Sequence, residues 1–304
     1  MPGMIGRDVG RAVSILRDGG VVAVPTETVY GLGADASDRQ AVARIFAIKG
    51  RPVDHPLIVH VSSRRRARNW AAEWPPVADA LARRFWPGPM TLIVSRAGHV
   101  LDEVTGGRDT VAIRVPAHRL MRRVLRRFAG GVAAPSANKF GMVSPTSAEH
   151  VSRDLGDSVD YVLDGGECSV GLESTIIDCT VVPPQILRPG SVTAEMVRSV
   201  VDSLAPASGP SRASGMLESH YAPRCRVVPV DDVEAAQRVM TDKPGASARI
   251  LDGRTDSESF ARTMYTDLRR CDDDGVDVAI VVLPDAHGIG VAIRDRIGKA
   301  AAGR

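Results

Sequence analysis

"SDRQAVARIFAIKGRPVDHPLIVHV", residues 37–61, changes periodicity within one segment. Ser37 and Asp38 carry side-chain oxygens suited to capping a helix start, and the apolar positions that follow keep helical spacing as far as Gly50. Beyond two prolines the chain reads "PLIVHV", a short apolar run suited to a buried strand. A capped helix feeding a buried strand is the signature of an α/β sheet protein. The same stretch holds Lys49, Arg51, His55 and His60. Lys49 and Arg51 can neutralise phosphate or carboxylate oxygens, Arg51 in the bidentate manner of its planar fork. At a helix end they also complement the last carbonyls and the dipole. If Leu57 and Val59 face the core, His60 faces the other side of the sheet.

The alternation extends both ways. "RDVGRAVSILRDGG" (7–20) is helical and stops at Gly19-Gly20, and "VVAV" (21–24) follows as a buried strand. Further strands are expected at 90–95, 110–115, 131–134, 161–164, 174–179 and 185–188, with helices near 76–86, 117–128, 147–155 and 193–203. These make one mixed α/β domain over 1–204 with a single large sheet. Residues 205–224, "APASGPSRASGMLESHYAPR", lack apolar periodicity and read as a linker, yet "HYAP" puts an imidazole and a phenol beside a stiffening proline. Residues 225–304 repeat a β–α order, the pattern of a small doubly wound domain.

Composition narrows the function. No apolar run crosses a bilayer and no signal peptide opens the chain, so it reads as cytoplasmic with no membrane partner. Cys168, Cys179, Cys225 and Cys271 show neither CxxC nor zinc-type spacing, and no HExxH run is present, so no protein-ligated structural metal is expected. Residues 1–224 carry 27 Lys and Arg against 22 Asp and Glu, net +5, whereas 225–304 carry 12 against 14, net −2. The basic part is where an anionic ligand belongs. "RRRAR" (64–68) and "RRVLRR" (122–127) could touch RNA phosphates, although without interleaved aromatics they read first as solvated helix faces.

Several segments put polar groups at strand ends, where α/β proteins bind ligands. "VVAV" runs into "PTETVYGLGADA", read as a polar loop with Thr28; it holds no GxGxxG or GxxxxGK[ST] fingerprint. Arg114 stands inside the apolar strand "TVAIRV", where a guanidinium demands an anionic partner. "APSANKFGMVSPT" (134–146) offers Ser136, Asn138, Ser144 and Thr146, "GLESTIIDCT" offers Ser174, and "ILRPGSVT" carries Arg188. No GxSxG elbow and no Cys/His pair supplies an activated nucleophile. The expected site therefore neutralises and orients anions while the substrates provide the reacting groups, as in phosphoryl and nucleotidyl transfer.

These motifs, in this order, resemble the YrdC-like threonylcarbamoyl-AMP synthases, and "GMLESHYAPR" with "GIGVAIRDRIGKAA" resembles their long, two-domain form. The resemblance covers nearly the whole chain. It implies a twisted mixed-sheet α/β domain with an open, positively charged cavity, followed by a small Rossmann-like domain. It also implies formation of L-threonylcarbamoyl-adenylate and pyrophosphate from L-threonine, bicarbonate or CO2, and ATP, with Mg2+ expected on the polyphosphate. Other proteins then transfer the threonylcarbamoyl group to adenosine in tRNA. By the family pattern, threonine is held by Thr28, His60, Arg114, the Ala134 backbone and Ser174. The nucleotide is held by Arg51, His55, Thr110, Ser136, Ser144, Arg188 and Tyr221, with Lys49 and Arg51 at the reacting anions. Because the carbamate and adenylate are labile, "HYAP" is expected to fold across the cavity as a lid. His55 departs from the usual Asn, and "SANKFG" from the usual "SANLSG". Two rival readings are a double-stranded RNA-binding module and a carbamoyl-adenylate-handling maturation factor. The latter carries acylphosphatase and cysteine-rich segments that are missing here.

Overall fold

The computed structural model describes residues 4–206, 220–242 and 245–302. Asp8 opens the first helix, Val9–Arg17, by accepting the Gly10 and Arg11 N–H groups. Asp38 does the same for Arg39–Lys49 through Gln40 and Ala41, and Gly50 ends that helix at φ +62°. The strands in chain order are β1 Ile5–Gly6, β2 Val22–Val24, β3 Gly31–Asp35, β4 Ile58–His60, β5 Met90–Ser95, β6 Thr110–Arg114, β7 Val132–Ala133, β8 Tyr161–Leu163, β9 Thr175–Asp178 and β10 Gln185–Arg188. They form one sheet ordered β1-β8-β2-β3-β7-β4-β6-β5-β9-β10. Parallel and antiparallel pairs mix: β4 runs parallel to β6, whereas β5 and β6 are antiparallel.

β2 shows how the sheet divides its surroundings. Ala23 packs into the core under helices Arg39–Lys49, Pro76–Phe85 and Ala148–Leu155, while Val22 and Val24 pack on the other face under Val9–Arg17 and Arg119–Phe128. β4 divides in the same way. Val59 joins the main core, and Ile58 turns to a small cluster with Ile93, Ala112, Ile176 and Leu187. His60 shares the Ile58 face by strand alternation, as the spacing predicts.

Some elements differ from expectation. β1 lies in a segment read as having no strand, and the helix expected over 193–203 is only Ala194–Arg198. β3 forms within the stretch read as a polar loop and pairs antiparallel with both β2 and β7. Its glycines suit the crowding, since a Cβ on Gly33 would stand 2.9 Å from Val132 Cγ1 and one on Gly31 3.1 Å from the Ala134 methyl. Gly131 is tighter still: an added methyl would lie 2.3 Å from the Trp70 ring and 2.7 Å from Val59. Gly131→Ala is therefore expected to destabilise the chain by roughly 1–3 kcal/mol, as overpacked cores do. Calorimetric melting against wild type checks this; an unchanged Tm would mean that Trp70 swings aside without cost.

The second sheet is wholly parallel. β11 Arg226–Val230, β12 Ala248–Asp252 and β13 Val278–Val282 are ordered β11-β13-β12, with the fully buried β13 in the middle. One apolar cluster joins Phe260, Met264, Tyr265 and Ile293 beside this sheet to Val29, Val143 and Leu172 of the first part. Most of the linker, 207–219, lies outside the described residues; His220 and Tyr221 lie within them and are buried.

Candidate active site

Parallel pairing of β4 with β6 sets His60 directly beside Arg114. The anionic partner that Arg114 requires is Glu27, whose Oε1 accepts from Nη2 at 2.7 Å. Nη1 donates to Thr28 Oγ1 at 2.8 Å and Nε to the Gly88 carbonyl at 3.2 Å. Thr26 donates its hydroxyl to the Val29 carbonyl, so the Thr26–Thr28 contact at 2.8 Å takes its proton from Thr28. The other Glu27 oxygen accepts the Ala117 and His118 N–H groups at 3.0 and 3.3 Å. Burial pushes the Glu27 carboxyl up, but the Arg114 charge and hydrogen bond outweigh it and hold the group below its ordinary value. Both ions are buried, which requires this full set of partners.

Arg114 and His60 open onto one cavity. Thr28, Arg51, His60, Arg114, Ala134, Ser136, Ser174, Arg188 and Tyr221 all line it. Three of these are guanidinium groups, and Glu173 is the carboxylate in the wall. Ser174 Oγ lies 2.7 Å from Thr91 Oγ1 and accepts from Arg188 Nη2 at 3.1 Å. Arg51 donates to the Pro56 carbonyl, and its guanidinium lies 5.8 Å from the Phe140 ring centroid. Burial, partly offset by Tyr221, pulls Arg51 down to about 10, so it stays cationic at neutral pH. His60 Nδ1–H donates to the Ile58 carbonyl at 3.2 Å. Burial, and next the Arg114 charge, push this imidazole down to about 3.

The remaining expected residues stand elsewhere. Lys49 lies behind the wall, where its ammonium donates to the carbonyls of Ser136, at 2.5 Å, and Asn138. Ser144 meets the cavity only through Glu173, to which its hydroxyl donates at 2.7 Å. His55 sits outside the lining with its ring edge on Phe140, 5.5 Å between centroids. Thr110 is at the opposite end of β6 from Arg114, paired with Ser95. Lys139 is exposed and donates to the Ile48 carbonyl at 2.7 Å.

Sequence reading assigned no role to Glu27, Glu173 or Arg296, and took His220 only as part of the "HYAP" segment. For the two glutamates a signal existed: each is a carboxylate in an apolar or hydroxyl-rich stretch and needs a cation. Their partners stand 87 and 123 residues away in the chain. His220 and Tyr221 bring the linker into the cavity wall with ring centroids 4.1 Å apart, and Tyr221 holds a left-handed φ of +65°, rare outside glycine.

Residues 14–190 match the family model Sua5_yciO_yrdC, described as "Telomere recombination", and residues 192–302 match Sua5_C, "Threonylcarbamoyl-AMP synthase, C-terminal domain". The chain belongs to the long, two-domain Sua5 form of the threonylcarbamoyl-AMP synthase family. Among its relatives, the threonylcarbamoyl-AMP synthase of Pyrococcus abyssi is 39% identical, with 95% of this chain and 92% of that protein covered. The Bacillus subtilis threonylcarbamoyl-AMP synthase is 38% identical, covering 97% and 93%. The crystal structure of P. abyssi Sua5 complexed with L-threonine superposes with a TM-score of 0.93 at 36% identity, over 99% of this chain and 98% of that one. The synthase-family fold thus includes both sheets. No helix among the described residues is long and apolar enough to cross a membrane.

Proposed function

We propose that this chain is an L-threonylcarbamoyladenylate synthase, a nucleotidyltransferase joining L-threonine, bicarbonate or CO2, and ATP with release of pyrophosphate. Its product feeds threonylcarbamoyl transfer to tRNA by other proteins, in the cytoplasm. The observation that carries this reading is the convergence of Thr28, His60, Arg114, Ala134 and Ser174 with Arg51, Ser136, Arg188 and Tyr221 around one cavity. The first group receives threonine and the second the nucleotide. The division into 1–204, a linker at 205–224 and 225–304 belongs to the same reading and is supported by the two separate sheets.

The threonine amine, as the free base, adds to CO2; a C–N bond forms and the nitrogen loses a proton to solvent. A carbamate oxygen then attacks the α-phosphorus of ATP, the bond to the bridging oxygen breaks, and pyrophosphate leaves. Both reactants are anionic. Arg51, Arg114 and Arg188 offset their repulsion, with greatest effect where water is excluded. His60 and His220, each pushed down to about 3 chiefly by burial, stay neutral at working pH and serve as hydrogen-bonding groups. Magnesium is expected on the polyphosphate of the MgATP substrate. The oxygens of Glu173 are taken by Arg296, Tyr265 and Ser144, and no group of three His, Cys, Asp or Glu stands together among the described residues.

The test omits one reagent at a time from a mixture of protein, MgATP, bicarbonate and L-threonine and measures pyrophosphate. Release is expected only from the complete mixture, with threonylcarbamoyl-AMP seen by mass spectrometry. Release that ignores threonine would overturn the assignment.

A further inference from the structure

Glu173 is a carboxylate in the wall of a cavity that must gather anions. Unopposed, it would repel them and attract Arg188. Two residues from the second sheet's helices prevent this. Arg296, on helix Gly290–Ala301, is fully buried and donates Nε to Glu173 Oε2 at 2.8 Å. Tyr265, on helix Ser257–Asp273, turns its hydroxyl to the same carboxylate at 3.0 and 3.1 Å. Arg296 also donates Nη2 to the carbonyl of Pro189, which follows Arg188, at 2.9 Å. Its guanidinium lies 5.3 Å from the Tyr221 ring centroid, and the Tyr221 and Tyr265 rings stack 5.8 Å apart. Burial pushes the Glu173 carboxyl up, but Arg296 and next Arg188 overcome this and hold it at about 2.

We infer that Arg296 and Tyr265 are positioning residues for the nucleotide half of the cavity. They cancel the Glu173 charge and fix Tyr221 and the strand end after Arg188, which leaves Arg188 directed at the incoming polyphosphate. The C-terminal unit then supports the site's wall from behind, through Glu173 and Tyr221. This rests on the synthase reading above.

The experiment is steady-state pyrophosphate release from the full-length chain, with ATP and threonine varied separately. Arg296→Met keeps bulk and removes charge. It is expected to raise the apparent KM for ATP about tenfold or more, the scale of a charge-assisted hydrogen bond, with kcat and the threonine KM within about twofold. Adding Glu173→Gln to the same chain removes the stranded anion and is expected to restore most of the ATP KM. A merely structural pair would instead give losses that accumulate in the double variant and fall equally on both substrates, and that result would overturn the inference, as would an unchanged ATP KM. Should Arg296→Met fail to fold by circular dichroism, Tyr265→Phe carries the test. It keeps the ring stack and removes the hydroxyl, and the ATP KM is expected to rise about threefold or more; no rise overturns the inference. Wild-type chain with no threonine-dependent release would refute the synthase reading, whereas active wild type with insensitive variants refutes only this inference.

Discussion

Arg114→Met is expected to lower kcat/KM for threonine by about two to three orders of magnitude, the scale seen when one member of a buried charged pair is removed from a binding site. The residue is 3% exposed and joins Glu27, Thr28 and the cavity at one point. Losing it removes the cation and also strands the Glu27 carboxylate, a stability loss of about 3–5 kcal/mol. The two effects separate by pH and by a second substitution. In wild type the Glu27 carboxyl sits below its ordinary 4.5, so its stabilisation is present above the unfolded value and is lost as pH falls through the folded one. Without Arg114, burial, the largest influence, is opposed only by backbone N–H donors such as those of Ala117 and His118, and the folded value is expected to rise. The sign then inverts, and Arg114→Met should lose stability as pH rises from about 4.5 toward neutrality. Adding Glu27→Gln should restore the melting temperature at neutral pH and leave threonine-dependent pyrophosphate release depressed. Arg114→Lys keeps charge without the fork and should recover only part of the activity. Full activity in Arg114→Met at saturating threonine would remove this residue from the site.

Much of this arrangement was legible because its parts are local. The Asp38 cap, the Gly50 stop and the alternation of Ile58, Val59 and His60 involve neighbours in the chain, and short-range periodicity is enough to place them. The demand of Arg114 for an anion was legible too, but not the anion. Glu27 lies in "PTETVYGLGADA", where hydroxyls and glycines read as a turn, and its pairing depends on β2 and β6 meeting the same cavity. β3 was hidden for a related reason. Gly31 and Gly33 weaken a strand pattern, yet the close approach of Ala134 and Val132 leaves no room for a side chain there. Arg296 reads as one charge on an amphipathic last helix. Its burial against Glu173 exists only once two sheets have packed together, and no spacing rule spans that distance. Lys49, expected at the reacting anions, stands instead behind the cavity lining, where its ammonium holds two backbone carbonyls.

Lys49→Met is expected to lower ATP-dependent turnover by about tenfold or more, the scale of losing the charge-assisted hydrogen bonds that hold the Ser136 and Asn138 carbonyls. The ammonium does not serve its own helix end. It crosses to the Ser136 and Asn138 carbonyls, while Lys139 takes the Ile48 carbonyl and Phe140 N–H donates to the Lys49 carbonyl at 2.9 Å. The helix end and the 136–140 loop are interlocked in this way. Among the described residues Lys49 makes no ion pair with a carboxylate, and burial, then Arg51, pulls its pKa well below 10.5. A polyphosphate settling at Ser136 brings negative charge into the same low-dielectric region and raises that pKa again. ATP binding should therefore take up a proton at pH values between those of the free and bound ammonium, and affinity should decline as pH climbs through the bound value. Titration calorimetry in two buffers of different ionisation heat reads the uptake directly. Wild type is expected to show it and Lys49→Met to lose it along with affinity. If both bind ATP equally and neither takes up a proton, Lys49 is a strut for the loop and the charge that meets the polyphosphate comes from Arg51 and Arg188 alone.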